Sequence, residues 1–170
     1  MMAVGVRSAM MPGKNGRSAN RRTRPEETFE LTVSIERIEQ SYYISENRAR
    51  REPVGDEAII DITGTIVTIS PTYKQHLGRE IEIAVLRARS FSTEDVTPTT
   101  DKPFMVTLNL KKAHCSAMAY IPADAFWALP GMITSKAVTH VMVRFSKPYH
   151  GSADLLSLYF APQSKVEALP

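Results

Sequence analysis

Phe29-Glu30-Leu31-Thr32-Val33-Ser34-Ile35-Glu36 alternates apolar and polar side chains at every step. A period of two places Phe29, Leu31, Val33 and Ile35 on one face and the polar residues on the other, the pattern of a β-strand with one wet side. Beyond it the apolar phase shifts to Ile38 and then to Tyr42, Tyr43 and Ile44. Either the strand continues through a bulge or a second short strand begins. Residues 45–57 contain Asn47, Pro53, Gly55 and five charged residues from Glu46 to Glu52, and they read as a long exposed loop.

The same alternation returns downstream. Residues 58–69 set Ala58, Ile60, Ile62 and Ile66 against Asp61, Thr63 and Thr65, then turn apolar on both sides at Val67 and Ile69, and Gly64 marks a twist, bulge or close backbone approach. After Ser70, Pro71 and Gly78, Ile81, Ile83 and Val85 alternate with Glu80 and Glu82, which makes this segment a neighbour of the preceding strand. Residues 92–103, rich in Thr and Pro, read as a surface loop. Phe104, Val106, Leu108 and Leu110 form the next half-buried strand, and residues 113–121 another, rich in small side chains. Residues 122–129 form a short helix stopped by Pro130-Gly131, with Phe126, Trp127 and Leu129 plugging one end of the core. Val141, Val143 and Phe145 pair as a hairpin with the run 155–160 across the turn Pro148-Tyr149-His150-Gly151.

About seven strands, one short helix and no room for βαβ crossovers predict a single mainly β domain, an antiparallel β-sandwich or a partly open β-barrel. Its expected bounds are residues 27–162, behind a disordered basic tail (1–26) and before a frayed C-terminus (163–170). With 170 residues, 43% of them hydrophobic and 23% charged, the chain suits one core that needs no metal or cofactor to fold. No run approaches the roughly 18–20 apolar residues of a membrane span. Residues 1–25 lack the apolar segment of a secretory signal, and Cys115 is the one cysteine, so a reducing, cytoplasmic location is expected.

Charge is unevenly spread. Arg7, Lys14, Arg17, Arg21, Arg22 and Arg24 give the first 25 residues +6 with no acid, so the remainder, +3 minus +6, carries −3. The tail therefore sets the basic character, and the domain itself is slightly acidic. Such a tail suits a nucleic-acid-binding arm, a surface-associating arm, a mitochondrial-type targeting peptide or a plain solvated terminus, with a misassigned start among Met1, Met2, Met10 and Met11 as a further option.

Candidate chemistry is sparse. His76, His114, His140 and His150 lie in four separate segments without metal-ligand spacing, so no metal site is expected. His114 and Cys115 are adjacent, but neighbours on a strand point to opposite faces, which makes Cys115 an inert core residue rather than a nucleophile. Glu80 and Glu82 share a strand face roughly 7 Å apart, a spacing that suits paired carboxylates but also an ordinary wet face. Asp61 stands between Ile60 and Ile62 but shares its face with Thr63 and Thr65. No glycine-rich phosphate loop and no serine elbow occur.

One cluster has a recognisable binding chemistry. Arg48, Arg50 and Arg51 follow Tyr42 and Tyr43, and aromatic rings beside guanidinium groups are what a single-stranded nucleic-acid surface uses. The expected function is a non-catalytic binding module whose partner is another protein or a second copy. The alternative is single-stranded nucleic-acid binding through Arg21, Arg22, Arg24, Tyr42, Tyr43, Arg48, Arg50 and Arg51.

Overall fold

A computed structural model describes residues 27–46, 54–88, 105–111 and 113–166. Their strands are β1 (Thr28–Glu46), β2 (Val54–Ile69), β3 (Glu80–Arg87), β4 (Met105–Leu110), β5 (Cys115–Ile121), β6 (His140–Ser146), β7 (Ser152–Ala153) and β8 (Leu155–Ala161). All eight join one sheet in the order β7-β4-β5-β3-β2-β1-β6-β8. The two outermost strands, β7 and β8, are consecutive in sequence with Asp154 alone between them, so the sheet curls until its edges meet. Of the two expected architectures, the molecule adopts the barrel, nearly closed. The β2–β3 and β6–β8 pairs are antiparallel neighbours, as alternation implies. One pair of the ring, β3 with β5, runs parallel, because β4 is laid down on the far side of β5.

The core fills the barrel with inward side chains from every long wall: Leu31 and Val33, Ile60, Ile62 and Ile66, Ile81, Ile83 and Val85, Leu108, Ala117 and Ala119, and Val141, Val143 and Phe145. β1 is continuous, and a bulge explains its phase shift: Ile35 pairs Gly64 and Arg37 pairs Thr63, leaving Glu36 as the extra residue. The inward set passes from odd to even numbers there. Thr65 Oγ1 donates to the Glu36 carboxylate at 2.6 Å, which anchors the bulged residue. A second irregularity leaves Val67 unpaired between Thr68 and Ile66. Val67 is consequently exposed, and the apolar end of β2 is not covered on both sides.

Three further segments depart from the sequence pattern. β1 runs to Glu46 and β2 starts at Val54, so residues 45–46 and 54–57 of the expected loop are strand, the end of a two-stranded ribbon exposed at 41–44 and 57, while 47–53 lie outside the described residues. A ribbon wet on both sides has no apolar alternation to reveal it. Helix α1 (Ala123–Thr134) does not stop at Pro130-Gly131 but passes through it for another turn. Ile133, packed against the core, and the Ser135 N–H bond to the Gly131 carbonyl hold that last turn. Within the stretch read as a frayed end, Gln163–Val166 forms one helical turn, α2.

The barrel has two distinct ends. At the first, a 3-10 turn (Pro71–His76) lays Tyr73 against Phe29 and Phe145, at ring separations of 4.9 and 5.8 Å. At the other, α1 caps the mouth with buried Phe126 and Leu129, and the β1/β2 ribbon projects beside it.

Candidate functional site

The ribbon and α1 bring together side chains that are far apart in sequence. Past the Glu36 bulge, even-numbered residues of β1 face the barrel mouth, so Tyr42 points inward and Tyr43 outward. Tyr42 pairs Ala58, and Leu86 pairs Ile59, so Arg87 stands level with Ala58 on the next strand. The small Ala58 side chain thus separates a tyrosine from an arginine. Trp127 fills the space above it, its ring 6.3 Å from that of Tyr42 and 6.0 Å from the Arg87 guanidinium carbon. Trp127 also meets Phe126 edge-on at 5.0 Å, which fixes the indole through a core residue.

Both rings remain open to solvent: Tyr42 is 53% exposed and Trp127 50%. Trp127 is therefore not a core plug, although Phe126 and Leu129 are. Consecutive helical residues diverge by about 100°, so once Phe126 turns into the core its neighbour must turn aside. That offset is the sequence signal that could have singled out Trp127. Arg87 carries no comparable signal, since its place beside Trp127 depends on the fold.

Of the other candidate binding residues, Tyr43 lies on the opposite ribbon face, paired with Glu57. Arg48, Arg50 and Arg51 lie outside the described residues, in the connection between β1 and β2, and so do Arg21, Arg22 and Arg24. The two arginine groups join β1 at opposite ends. Eighteen residue steps at ~3.3 Å separate the ends of that strand by roughly 60 Å.

The candidate chemical residues do not converge. Asp61, Glu80 and Glu82 lie exposed on the outer wall. His114, also exposed, pairs with Glu82 at 3.6 Å. His140, the first residue of β6, contacts the hydroxyl of Thr139 before it at 2.9 Å, and His150 sits in a turn with a left-handed backbone. Among the described residues, no group of three or more His, Cys, Asp or Glu side chains is placed to hold a metal ion.

Cys115 has a partner that adjacency does not suggest. Only 1% exposed, its Sγ lies 3.7 Å from Nδ1 of buried His76. Arg79 approaches the same nitrogen at 3.4 Å and donates to the Lys111 carbonyl at 3.1 Å. An arginine can only donate, so Nδ1 accepts and the imidazole proton resides on Nε2. Burial raises the thiol pKa against the opposing pull of Arg79, and burial with Arg79 lowers that of His76. The pair is thus neutral thiol and neutral imidazole, the reverse of an activated thiolate–imidazolium couple.

A depression of about 580 Å³ on the outer wall is lined by Glu30, Thr32, Ser70, Arg144, Tyr159 and Val166. It shares no residue with the barrel mouth, and its two opposite charges, Glu30 and Arg144, are cross-strand neighbours that compensate each other. The mouth, with two accessible rings and a cation, has the more specific chemistry. No protein-family model, curated protein or solved structure matches the chain. No helix among the described residues is long and apolar enough to cross a membrane.

Proposed function

We propose that the protein is a non-catalytic binding module whose ligand is a single-stranded nucleic acid, engaged at the barrel mouth. One observation carries this reading: Tyr42, Trp127 and Arg87 form a contiguous aromatic and cationic surface, with both rings half exposed and held by the sheet and by Phe126. Exposed rings fixed in place offer stacking faces to bases at little entropic cost, and the Arg87 guanidinium, 6.0 Å from the Trp127 ring centre, adds positive charge suited to the phosphate that follows. In sequence, Arg48, Arg50 and Arg51 lie between the two strands of the ribbon and add positive charge to the segment that joins them.

Trp127 is the single tryptophan of the chain, so its fluorescence reports directly on this surface. Titration with a pyrimidine oligonucleotide of about ten nucleotides should quench that emission at low salt. Tyr42→Ala should weaken binding by about 5- to 150-fold, the equivalent of 1–3 kcal/mol for a lost stacking face. Replacing Arg48, Arg50 and Arg51 by Ala should flatten the slope of log K against log salt by about 2. Unchanged emission at low salt, or binding insensitive to Tyr42, would overturn the proposal.

A further inference from the structure

The barrel is nearly closed, but the ribbon stands outside the ring. On the side away from β2, β1 is paired with β6 only from Thr28 to Ser34, and the Ile35 N–H reaches the Thr139 carbonyl. Among the described residues no strand covers that side of β1 from Glu36 to Glu46, and β2 from Val54 to Ala58 is paired with β1 alone. Two-stranded ribbons of this kind are marginal in water, and an uncovered edge offers a row of backbone donors and acceptors. Natural edges are usually blunted by lysine, proline or inward charge. Here the run Gln40-Ser41-Tyr42-Tyr43-Ile44-Ser45 has no charge, no proline and no glycine.

We infer that this edge of β1 pairs antiparallel with the same edge of a second copy, about a two-fold axis at Ser41. A strand edge is matched by another strand edge, and self-pairing is the arrangement that closes after two copies. The register centred on Ser41 sets Ile38 opposite Ile44, Gln40 opposite Tyr42, Glu39 opposite Tyr43 and Arg37 opposite the uncharged Ser45. From Arg37 to Ser45 no like charges oppose, and Ile38 meets Ile44; Glu36 and Glu46, which the same register would set against each other, bound the paired stretch. Two ribbons become one four-stranded sheet. Pairing uses the edge of the sheet and leaves its faces open, so it does not compete for Tyr42 or Trp127, and the inference stands independently of the ligand.

Light scattering on the eluted full-length chain at high micromolar concentration should give about 38 kDa, twice the 19.0 kDa monomer. Tyr43→Glu places a carboxylate against Glu39 at two symmetric positions and should weaken the dimer by roughly tenfold or more. Adding Glu39→Lys to it should restore association. Ser41→Cys should cross-link under mild oxidation, because residues facing each other across such a pair have Cβ atoms within about 4.5–5.5 Å. Glu57→Cys on the neighbouring strand should not, and buried Cys115 gives no background. A 19.0 kDa wild type, with or without exchange-protected amides at 36–46, would overturn the inference. So would a dimer indifferent to Tyr43→Glu.

Discussion

A methyl group added at Gly64 would lie 2.7 Å from Val33 Cγ1 and inside contact distance of the Ser34 carbonyl oxygen. Backbone cannot give way as a flexible side chain can, so Gly64→Ala should cost at least about 2 kcal/mol, read from denaturant midpoints. The sequence flags Gly64 as a twist, a bulge or a point of close approach, and the structure shows the last, where β2 packs against β1. It does not flag the Cys115–His76 contact, whose partners are 39 residues apart and meet only once the 3-10 turn folds under the barrel. Burial of His76, with Arg79 beside it, makes stability pH-dependent with a definite sign. The unfolded chain binds a proton on His76 near its ordinary value of 6.5, while the folded state resists it to lower pH. Stability from this group is therefore complete above 6.5 and lost as pH falls through the depressed folded value. His76→Asn, which keeps an acceptor, should flatten that acid slope in pH-dependent unfolding. The same burial makes Cys115 slow toward a thiol reagent in the native protein and fast in denaturant, because a buried protonated thiol must first be released.

Elements were legible where one face was wet and the other buried. β3, β6 and the first half of β1 alternate cleanly because each divides core from solvent. Residues 45–46 and 54–57 of the β1/β2 ribbon were not legible as strand, since Asn47, Pro53, Gly55 and five charged residues give that stretch the composition of a loop. Helix α1 hid its length for a different reason. Pro130 cannot donate to the Phe126 carbonyl, and the sequence rule that stops a helix there weighs only local cost, whereas Ile133 packs against the core one turn later. Pro130→Ala restores that donor, and thermal or denaturant unfolding should show a gain of up to about 3 kcal/mol. The mouth aromatics share this history: Tyr42 was readable beside the arginines, but Trp127 and Arg87 join it only through the cap and the strand register.

At the scale of the whole molecule, the two basic groups of the sequence are no longer interchangeable. Residues 1–26 precede β1 at the end sealed by Tyr73, and the Arg48 cluster follows its other end, Glu46, in sequence. Their attachment points lie roughly 60 Å apart along the strand, several times the ~8–10 Å over which charges act at physiological salt. Deleting residues 1–25 should therefore lower the salt slope for a ten-nucleotide ligand by less than replacing Arg48, Arg50 and Arg51 does. With an oligonucleotide of about forty nucleotides, whose stacked length exceeds that distance, the same deletion should lower it by more. Closure of the ring was the feature least visible in sequence, because it turns on ten residues that change partner midway: Ser152 and Ala153 bond to β4, and from Leu155 onward the chain bonds to β6. On a ribosome, this order has a consequence for timing. Strands β1 to β5 can pair as they emerge, but the seam between β4 and β6 stays open until residue 161 is free, so the nascent domain waits for the last of its described strands before its core is covered.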